Sequence, residues 1–169
     1  EKALGPEHSD TAMSLNNLAA LYMGQGLYSK ADPLIGRALE VEFTLIQRES
    51  PYLVLSDRLP FLQSFGVAHQ VTFSGSSRGS SGANLALFSR LNRQGLLEEI
   101  EKRQAQLASL PGPQQEVAEE LRGLTQQLAS MSLSSEQRQN LKTKKEELEK
   151  QLYRLLPELK PRIVEVDQV

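Results

Sequence analysis

The sequence lacks the residues that several classes of functional site require. It contains no cysteine, which excludes a disulfide framework, a cysteine-ligated zinc site and a thiol nucleophile. His8 and His69 are its only histidines, so a metal site built from several histidines is excluded as well. We therefore expect no metal and no cofactor. The absence of cysteine also favours a cytoplasmic location.

Charge of one sign and long apolar runs are scarce too. The formal net charge is −2, which gives no general attraction to nucleic acid or to anionic lipid. The apolar runs of the chain, such as residues 52–55, are short, far below the ~20 residues that a membrane-spanning helix needs. Tryptophan is absent and aromatic residues make up 5% of the chain, too few to stack bases. We therefore expect neither a nucleic-acid partner nor a membrane partner.

Leucine is the residue that the chain has in abundance. Its 169 residues include 29 leucines, and 39% are hydrophobic and 24% charged, as is typical of globular domains. Leucine combined with glutamate, glutamine, lysine and arginine favours helices over sheets. The composition therefore predicts an all-α fold.

Residues 1–49 carry the pattern of two short helices. From Asp10 onwards, apolar residues recur every three or four positions, and Ser9 or Asp10 is the expected N-cap. The pattern stops at Gly24 and Gly26, where glycine permits a left-handed backbone. A second helix is predicted from about Ser29. Its expected inward residues are Ala31, Leu34, Ile35, Ala38, Leu39 and Phe43.

This predicted hairpin resembles a known repeat family. The stretch Ser14-Leu15-Asn16-Asn17-Leu18-Ala19-Ala20-Leu21-Tyr22 and several later positions are similar to tetratricopeptide repeats of the kinesin-light-chain type. Leu15 stands where the generic family often has tryptophan, and Phe43 where it often has proline. By this resemblance, the residues that pack the repeat core are Leu18, Ala19, Tyr22, Gly26, Tyr28, Ala31 and Ala38.

In that family, the inner face of the first helix is the usual peptide-binding surface. The resemblance places five residues on that face, namely Met13, Asn16, Asn17, Ala20 and Met23. Asparagine side chains both donate to and accept from an extended peptide backbone. The alternative is that Asn16 and Asn17 hydrogen-bond neighbouring repeats. Because one repeat cannot bury both of its faces, we expect further repeats upstream, with residues 1–4 ending the preceding helix.

Two less regular segments follow the hairpin. A shift of 41 residues aligns several leucines of the first unit with residues 50–73, which we interpret as a degenerate repeat or a capping pair of helices. Residues 74–82 contain only serine, glycine and one arginine, which predicts a flexible linker. The alternative, a phosphate-binding loop, lacks the lysine that its motif requires.

Residues 83–160 predict long helices that form a coiled-coil-like arm. No proline interrupts residues 83–109, and Pro113 opens the next helix. That helix has a heptad seam, formed by Val117, Leu121, Leu124, Leu128 and Met131. Ser134 and Gln137 fit a capping box for a last helix, in which Lys145 interrupts the seam. The short breaks predict antiparallel neighbours in a bundle, either within one chain or completed by self-association with a second chain.

The arm and its ending carry a second resemblance. Residues 85–97 and 156–166 are similar to the connector of bacterial CHAT-domain proteins, in which tetratricopeptide repeats precede a caspase-like domain. The resemblance implies that residues 161–169 begin a strand that leads to a downstream protease-like domain. The catalytic histidine and cysteine of that domain would lie outside this chain.

The pattern as a whole favours a protein-interaction and scaffolding segment that binds a protein or peptide. A coiled-coil oligomerisation segment without peptide binding is the alternative. An enzyme is less favoured, because the acidic residues lie on predicted helix surfaces. His8 is expected to be a solvated or packing residue between repeats, and His69 a satisfied, partly buried helix residue. No catalytic residue is assigned.

Overall fold

Helices are the regular structure of the part of the chain that the structure describes. The computed structural model describes residues 8–75, 79–129, 133–164 and 166, with the backbone alone at residues 67 and 73–75. Its helices are α1 (Ser9–Gly24), α2 (Tyr28–Glu49), α3 (Leu55–Ser64), α4 (Val67–Gly75), α5 (Ser80–Arg93), α6 (Leu96–Ala108), α7 (Pro113–Leu128) and α8 (Ser135–Leu155), with a 3-10 turn at Ser50–Tyr52. No strand occurs within these ranges, which confirms the all-α class for them.

The turn between α1 and α2 contains a glycine of the kind that commonly ends a helix. Gly26 has a φ of +73°, in the left-handed region. The N–H of Leu27 donates to the carbonyl of Tyr22 at 2.9 Å, and that of Gly26 to the carbonyl of Met23 at 3.0 Å. This pair of bonds is a Schellman motif, which satisfies carbonyls that the end of α1 leaves free. The chain can therefore reverse within three residues and form a helical hairpin.

The N-cap of α1 is one residue earlier than predicted. The cap is His8, whose ring Nδ1 accepts from the N–H of Asp10 at 3.2 Å. The prediction of Ser9 or Asp10 was therefore wrong, because an imidazole nitrogen can satisfy a free first-turn donor as a hydroxyl or carboxylate does. His8 is solvent-exposed and has this local structural role.

Some predicted core residues of the hairpin are buried and others are not. Ala19, Ala31 and Ala38 are at most 1% exposed, as a close approach of two helix axes requires. Leu18 and Tyr28, in contrast, are 41% and 43% exposed in this structure. The buried side of α1 contains Thr11, Ala12 and Ala19, and Leu18 projects about 100° away from Ala19. Tyr28 is the first residue of α2, at the end of the hairpin.

The segment predicted as a degenerate repeat or capping pair contains the 3-10 turn, α3 and α4. The predicted linker that follows is more helical than its composition indicates. Ser74 and Gly75 end α4, and α5 already begins at Ser80. Gly82 is buried within α5, which packs against α4 and α2. Packing therefore overrides the low helix propensity of serine and glycine; residues 76–78 lie outside the described residues.

The long helix predicted over residues 83–109 is interrupted. Gly95 has a φ of +72°, and α5 ends at Arg93 while α6 begins at Leu96. A residue in the left-handed region ends a helix because the backbone there no longer points its N–H groups along the helix axis, and glycine adopts this conformation without steric cost. The single predicted helix is therefore two.

The helices cluster into two compact units. The first contains the residues up to Glu49, Pro60–Leu96 and the segment from Lys160. Its interior includes Ala12, Val41 and Leu45, with Phe65 packed against them. The second contains Ser50–Leu59 and Leu97–Leu159. None of the helices in the described ranges is both long and apolar enough to cross a membrane.

In the second unit, α7 and α8 pack as an antiparallel pair. Lys144 forms an ion pair with Glu120 at 2.8 Å, and Arg138 Nη1 donates to the carbonyl of Leu128 at 2.9 Å. Since contacts pair rising numbers on α7 with falling numbers on α8, the two helices run in opposite directions. The shared core consists of Ala108, Val117, Ala118, Leu124, Leu148, Leu152, Tyr153 and Leu156.

The predicted seam of α7 faces this core to different degrees. Val117 and Leu124 are buried, whereas Leu121 and Leu128 are half-buried. Met131 lies outside the described residues. The predicted capping box of α8 is confirmed, because Gln137 N–H donates to Ser134 Oγ at 3.2 Å and Ser134 N–H donates to Gln137 Oε1 at 2.9 Å.

The segment after α8 is extended but is not a strand where it is described. Residues 161–164 have no regular structure, and residues 165 and 167–169 lie outside the described chain. The side chain of Gln47 accepts a hydrogen bond from the N–H of Arg162 at 2.6 Å and donates one to its carbonyl at 3.0 Å. The side chain of Asn92 likewise accepts from the N–H of Val164 at 2.8 Å and donates to its carbonyl at 2.9 Å. The hydrogen bonds expected of a strand are thus made by two amide side chains.

The break at Gly95 predicts opposite effects for two glycine substitutions. Gly95→Ala is expected to lower the free energy of unfolding by about 1–2 kcal/mol, because alanine is strained in the left-handed region. The matched control Gly123→Ala lies inside α7 with no atom within 4 Å of the added Cβ. It is expected to raise that free energy by up to about 1 kcal/mol. Urea unfolding followed by circular dichroism measures both, and equal effects would contradict a left-handed break.

The core of the second unit predicts a contrast between two leucines of α8. Leu152 is 6% exposed and Leu155 is 40% exposed. Leu152→Ala is expected to lower the free energy of unfolding by about 2–5 kcal/mol, since it leaves a cavity. Leu155→Ala is expected to change it by less than about 1 kcal/mol. The same urea titration measures both, and a larger loss for Leu155→Ala would show that α8 packs with its other side.

Candidate functional site

A cavity of about 490 Å³ lies beside α1 in the first unit. Three of the residues predicted to bind a peptide, Met13, Asn16 and Asn17, line it. Ala20 and Met23 follow them on α1, where Ala20 is exposed and Met23 half-buried. The other described lining residues are Ser9, Asp10, Ala12, Glu42, Ser64 and Phe65. We call this cavity the α1 groove.

The helical repeat explains why these α1 residues share one side. Met13, Asn16 and Asn17 are spaced by three and four positions, so their side chains project in neighbouring directions. Met13 is 57% exposed. Two lining residues come from another part of the unit, where Ser64 ends α3 and Phe65 follows it. The Phe61 and Phe65 rings make an edge-to-face contact with centroids 5.2 Å apart, which orients Phe65.

A buried carboxylate on α2, that of Glu42, reaches the groove. Glu42 is 4% exposed. Its Oε1 accepts a hydrogen bond from Asn16 Nδ2 at 3.0 Å. Its Oε2 is buried without a hydrogen-bond partner. A carboxylate can accept about four hydrogen bonds, so a buried oxygen with none is unusual and is costly to leave unpaired.

Burial dominates the electrostatics of this carboxylate. Loss of solvent raises the pKa of Glu42 from 4.5 to about 7, although the hydrogen bond from Asn16 and the charge of Arg93 both act to lower it. The guanidinium of Arg93 forms its hydrogen bonds with two backbone carbonyls. Its Nη1 donates to Phe65 at 2.9 Å and its Nη2 to Leu62 at 2.8 Å. Glu42 therefore titrates near neutral pH.

Sequence reasoning placed the α1 residues in the site but missed Glu42. A signal was available in the spacing, because Ala31, Ile35, Ala38 and Glu42 follow steps of four, three and four. This is a heptad stripe whose first three members are buried, so the fourth is expected to be buried as well. Ser64 and Phe65 gave no such signal, since they reach α1 only through the tertiary fold.

The second histidine forms a different contact in the same unit. His69 is half-buried on α4, as predicted, and its Nδ1 lies 2.7 Å from Ser89 Oγ. Burial and the nearby charge of Arg93 lower the pKa of His69. Ser89 is 0% exposed and is not among the described residues that line the cavity beside His69. The pair resembles a base and a nucleophile only in its distance.

The second unit contains its own buried polar cluster. Arg58 is 1% exposed, donates to Gln104 Oε1 at 2.7 Å and lies 4.7 Å from the centre of the Tyr153 ring. Glu149, also 1% exposed, pairs with Lys145 at 2.6 Å and accepts from the N–H of Leu55 at 3.0 Å. Burial raises the pKa of Tyr153 to about 12. These contacts hold the first turn of α3 against α6 and α8.

Metal ligands do not assemble in the described residues. No group of three or more histidine, aspartate or glutamate side chains there is arranged to hold an ion. In the α1 groove the two carboxylates are those of Asp10 and Glu42. The chemistry that the groove offers is thus hydrogen bonding, apolar contact and negative charge.

The raised pKa of Glu42 predicts how stability depends on pH. The folded chain holds this proton more tightly than the unfolded chain, so its stabilising effect is complete below about pH 4.5 and is lost as the pH rises through about 7. The loss amounts to at most about 3 kcal/mol. Glu42→Gln is expected to remove it, making the free energy of unfolding of the variant less dependent on pH between 5 and 8.

Urea unfolding at several pH values checks this expectation. The matched control is Glu40→Gln on the same helix, whose carboxylate pairs with Arg37 at the surface. It is expected to follow the pH dependence of the wild type. Parallel curves for the wild type and Glu42→Gln would show that Glu42 does not titrate in this range.

Comparison of the chain with protein-family models, with curated proteins and with solved structures finds no match. The functional assignment therefore depends on the residues of the α1 groove and on the packing of the helices around it.

Proposed function

We propose that this chain is a non-catalytic protein-interaction and scaffolding segment whose α1 groove binds a partner peptide. The observation that carries the proposal is the convergence of Met13, Asn16 and Asn17 with the buried carboxylate of Glu42 in one cavity. Its volume of about 490 Å³ falls within the roughly 300–1,000 Å³ of ordinary ligand sites.

The chemistry of the groove fits an extended peptide. Asn17 is exposed, so its amide is available to pair with a backbone N–H and carbonyl. Met13 and Phe65 provide apolar surface in the lining of the cavity, and methionine adapts to irregular shapes. A peptide bound here would meet both an apolar and a hydrogen-bonding surface.

We further propose that α1 and α2 form a tetratricopeptide-type unit. Support comes from a hairpin with a three-residue connection and from small residues at the helix contact, where Ala19, Ala31 and Ala38 are buried. Leu18 and Leu21 are 41% and 58% exposed on α1, which gives a neighbouring repeat apolar surface to cover. Neighbouring repeats are therefore proposed partners of this helix.

The helical pair α7 and α8 is proposed to act as a spacer arm in the larger assembly. Its seam residues Val117 and Leu124 are buried in a core that α8 of the same chain completes, which supports an internal pair over an oligomerisation seam. The connection to a bacterial CHAT-domain protein, with a protease-like domain downstream, stays a prediction from the sequence resemblance.

Peptide binding by the groove is tested with an array of random decapeptides probed with the folded chain. Peptides that bind are resynthesised with fluorescein and titrated by fluorescence anisotropy. Asn17→Ala is expected to weaken binding by about 2–10-fold, the effect of one hydrogen bond. Met13→Ala combined with Asn17→Ala is expected to weaken it by more than about tenfold.

Asn140→Ala is the matched control, since it removes an equally exposed asparagine from α8. It is expected to leave the affinity unchanged. Failure to obtain any binding peptide, or binding that the double variant does not alter, would reject the groove as the peptide site.

A further inference from the structure

We propose that the α1 groove selects a cationic side chain, that of lysine or arginine, and pairs it with the carboxylate of Glu42. This inference rests on the proposed peptide-binding function and goes beyond it, because it names the chemical group that the site recognises. The partner is thus an extended peptide segment that presents a positive charge between apolar neighbours.

The composition of the groove gives it negative charge. Its described lining residues include two carboxylates, those of Asp10 and Glu42, and no lysine, arginine or histidine. Asp10 lies in the first turn of α1 and is exposed, so solvent screens its charge. Glu42 is 96% buried and its charge is screened far less. Charge complementarity therefore favours a cation over a neutral or acidic group.

The unsatisfied oxygen of Glu42 provides the second observation. Oε1 already accepts from Asn16, whereas Oε2 has no hydrogen-bond partner. A neutral donor would satisfy that oxygen, but an ammonium or guanidinium group adds a charge-assisted bond about twice as strong. Binding of a cation at Oε2 would remove the penalty that burial imposes on the ionised side chain.

The apolar residues of the groove suit the rest of a lysine or arginine side chain. Met13 on α1 and Phe65 after the end of α3 both line the cavity. Long cationic side chains bury their methylene stems along apolar surface while the charged end reaches a polar group. The lining of the groove contains both kinds of surface, the apolar side chains of Met13 and Phe65 and the carboxylate of Glu42.

The charged and titratable groups around Glu42 come, within the described residues, from two neighbouring helices. They are Asp10 on α1, with His8 next to it, and Arg93 on α5. The charge of Arg93 acts on Glu42, but its guanidinium donates to the carbonyls of Leu62 and Phe65. The pKa of Glu42, about 7, lies between pH 6 and 8, so this carboxyl adds negative charge to the groove over that range.

The test uses the full chain labelled with 15N and mixtures of acetylated, amidated hexapeptides. Each mixture fixes one central residue as lysine, arginine, norleucine or glutamate and randomises the others. Norleucine matches the length of lysine without its charge. Shifts of the side-chain amide signals of Asn16 and Asn17 report binding in the groove and give apparent affinities.

The lysine and arginine mixtures are expected to bind about tenfold more tightly than the norleucine mixture at pH 8. Because the ionised fraction of a carboxyl with a pKa of about 7 rises from about a tenth to about nine-tenths, their affinity is expected to rise about tenfold from pH 6 to 8. Glu42→Gln is expected to remove both effects and to leave norleucine binding within twofold. The matched control Glu40→Gln is expected to preserve them.

The possible failures of the two proposals are distinct. If no mixture shifts the asparagine signals, the peptide-binding function itself is wrong. If norleucine or glutamate binds as tightly as lysine, or if Glu42→Gln keeps the preference for lysine, the groove binds peptides but the cation assignment is overturned. Loss of folding in Glu42→Gln is detected by its backbone spectrum, and Glu42→Met, which puts an apolar side chain of similar length at the buried position, then serves as the second variant. It is expected to bind the lysine mixture no more tightly than the norleucine mixture, and a retained preference for lysine would overturn the assignment.

Discussion

Burial of one long helix, α2, is the constraint on which the first unit depends. Ile35, Leu39, Phe43 and Ile46 are each at most 1% exposed, and α1, α4 and α5 all pack against this helix. Each such side chain contributes about 1.5–3 kcal/mol when fully buried. α1, in contrast, has leucines on its exposed side and alanines on its buried side. The position of α1 is therefore set by the surface of α2 that it covers.

The same burial creates the candidate site. Glu42 occupies a position of the α2 stripe where an apolar residue would pack without cost, and its carboxylate instead raises the energy of the folded state at neutral pH. In the second unit, Glu149 is as deeply buried but is compensated by Lys145 and by the N–H of Leu55. Both oxygens of Glu149 therefore have partners, whereas Oε2 of Glu42 has none among the described residues.

Local patterns predicted the elements better than their interruptions or their neighbours. The capping box at Ser134 and the turn at Gly26 depend on a few adjacent residues, and both occur as the sequence indicates. The break at Gly95 depends on a glycine in the left-handed region, whereas the helical ends of the predicted linker depend on how α4 and α5 pack, which the sequence alone does not contain. Met13, Asn16 and Asn17 were placed in the site through a family resemblance. Phe65 joins them only through the fold, because it is far from α1 in sequence.

The extended segment after α8 has a consequence for insertions and deletions. Gln47 and Asn92 each form hydrogen bonds with the backbone of one residue, and these two residues, Arg162 and Val164, are separated by Ile163. Because successive residues of an extended chain point to opposite sides, a shift of one residue would present the wrong side to both amides at once. The extended segment therefore cannot shift by one residue and keep these hydrogen bonds. The register of this segment is therefore fixed by α2 and α5, whatever the chain length between Leu156 and Pro161.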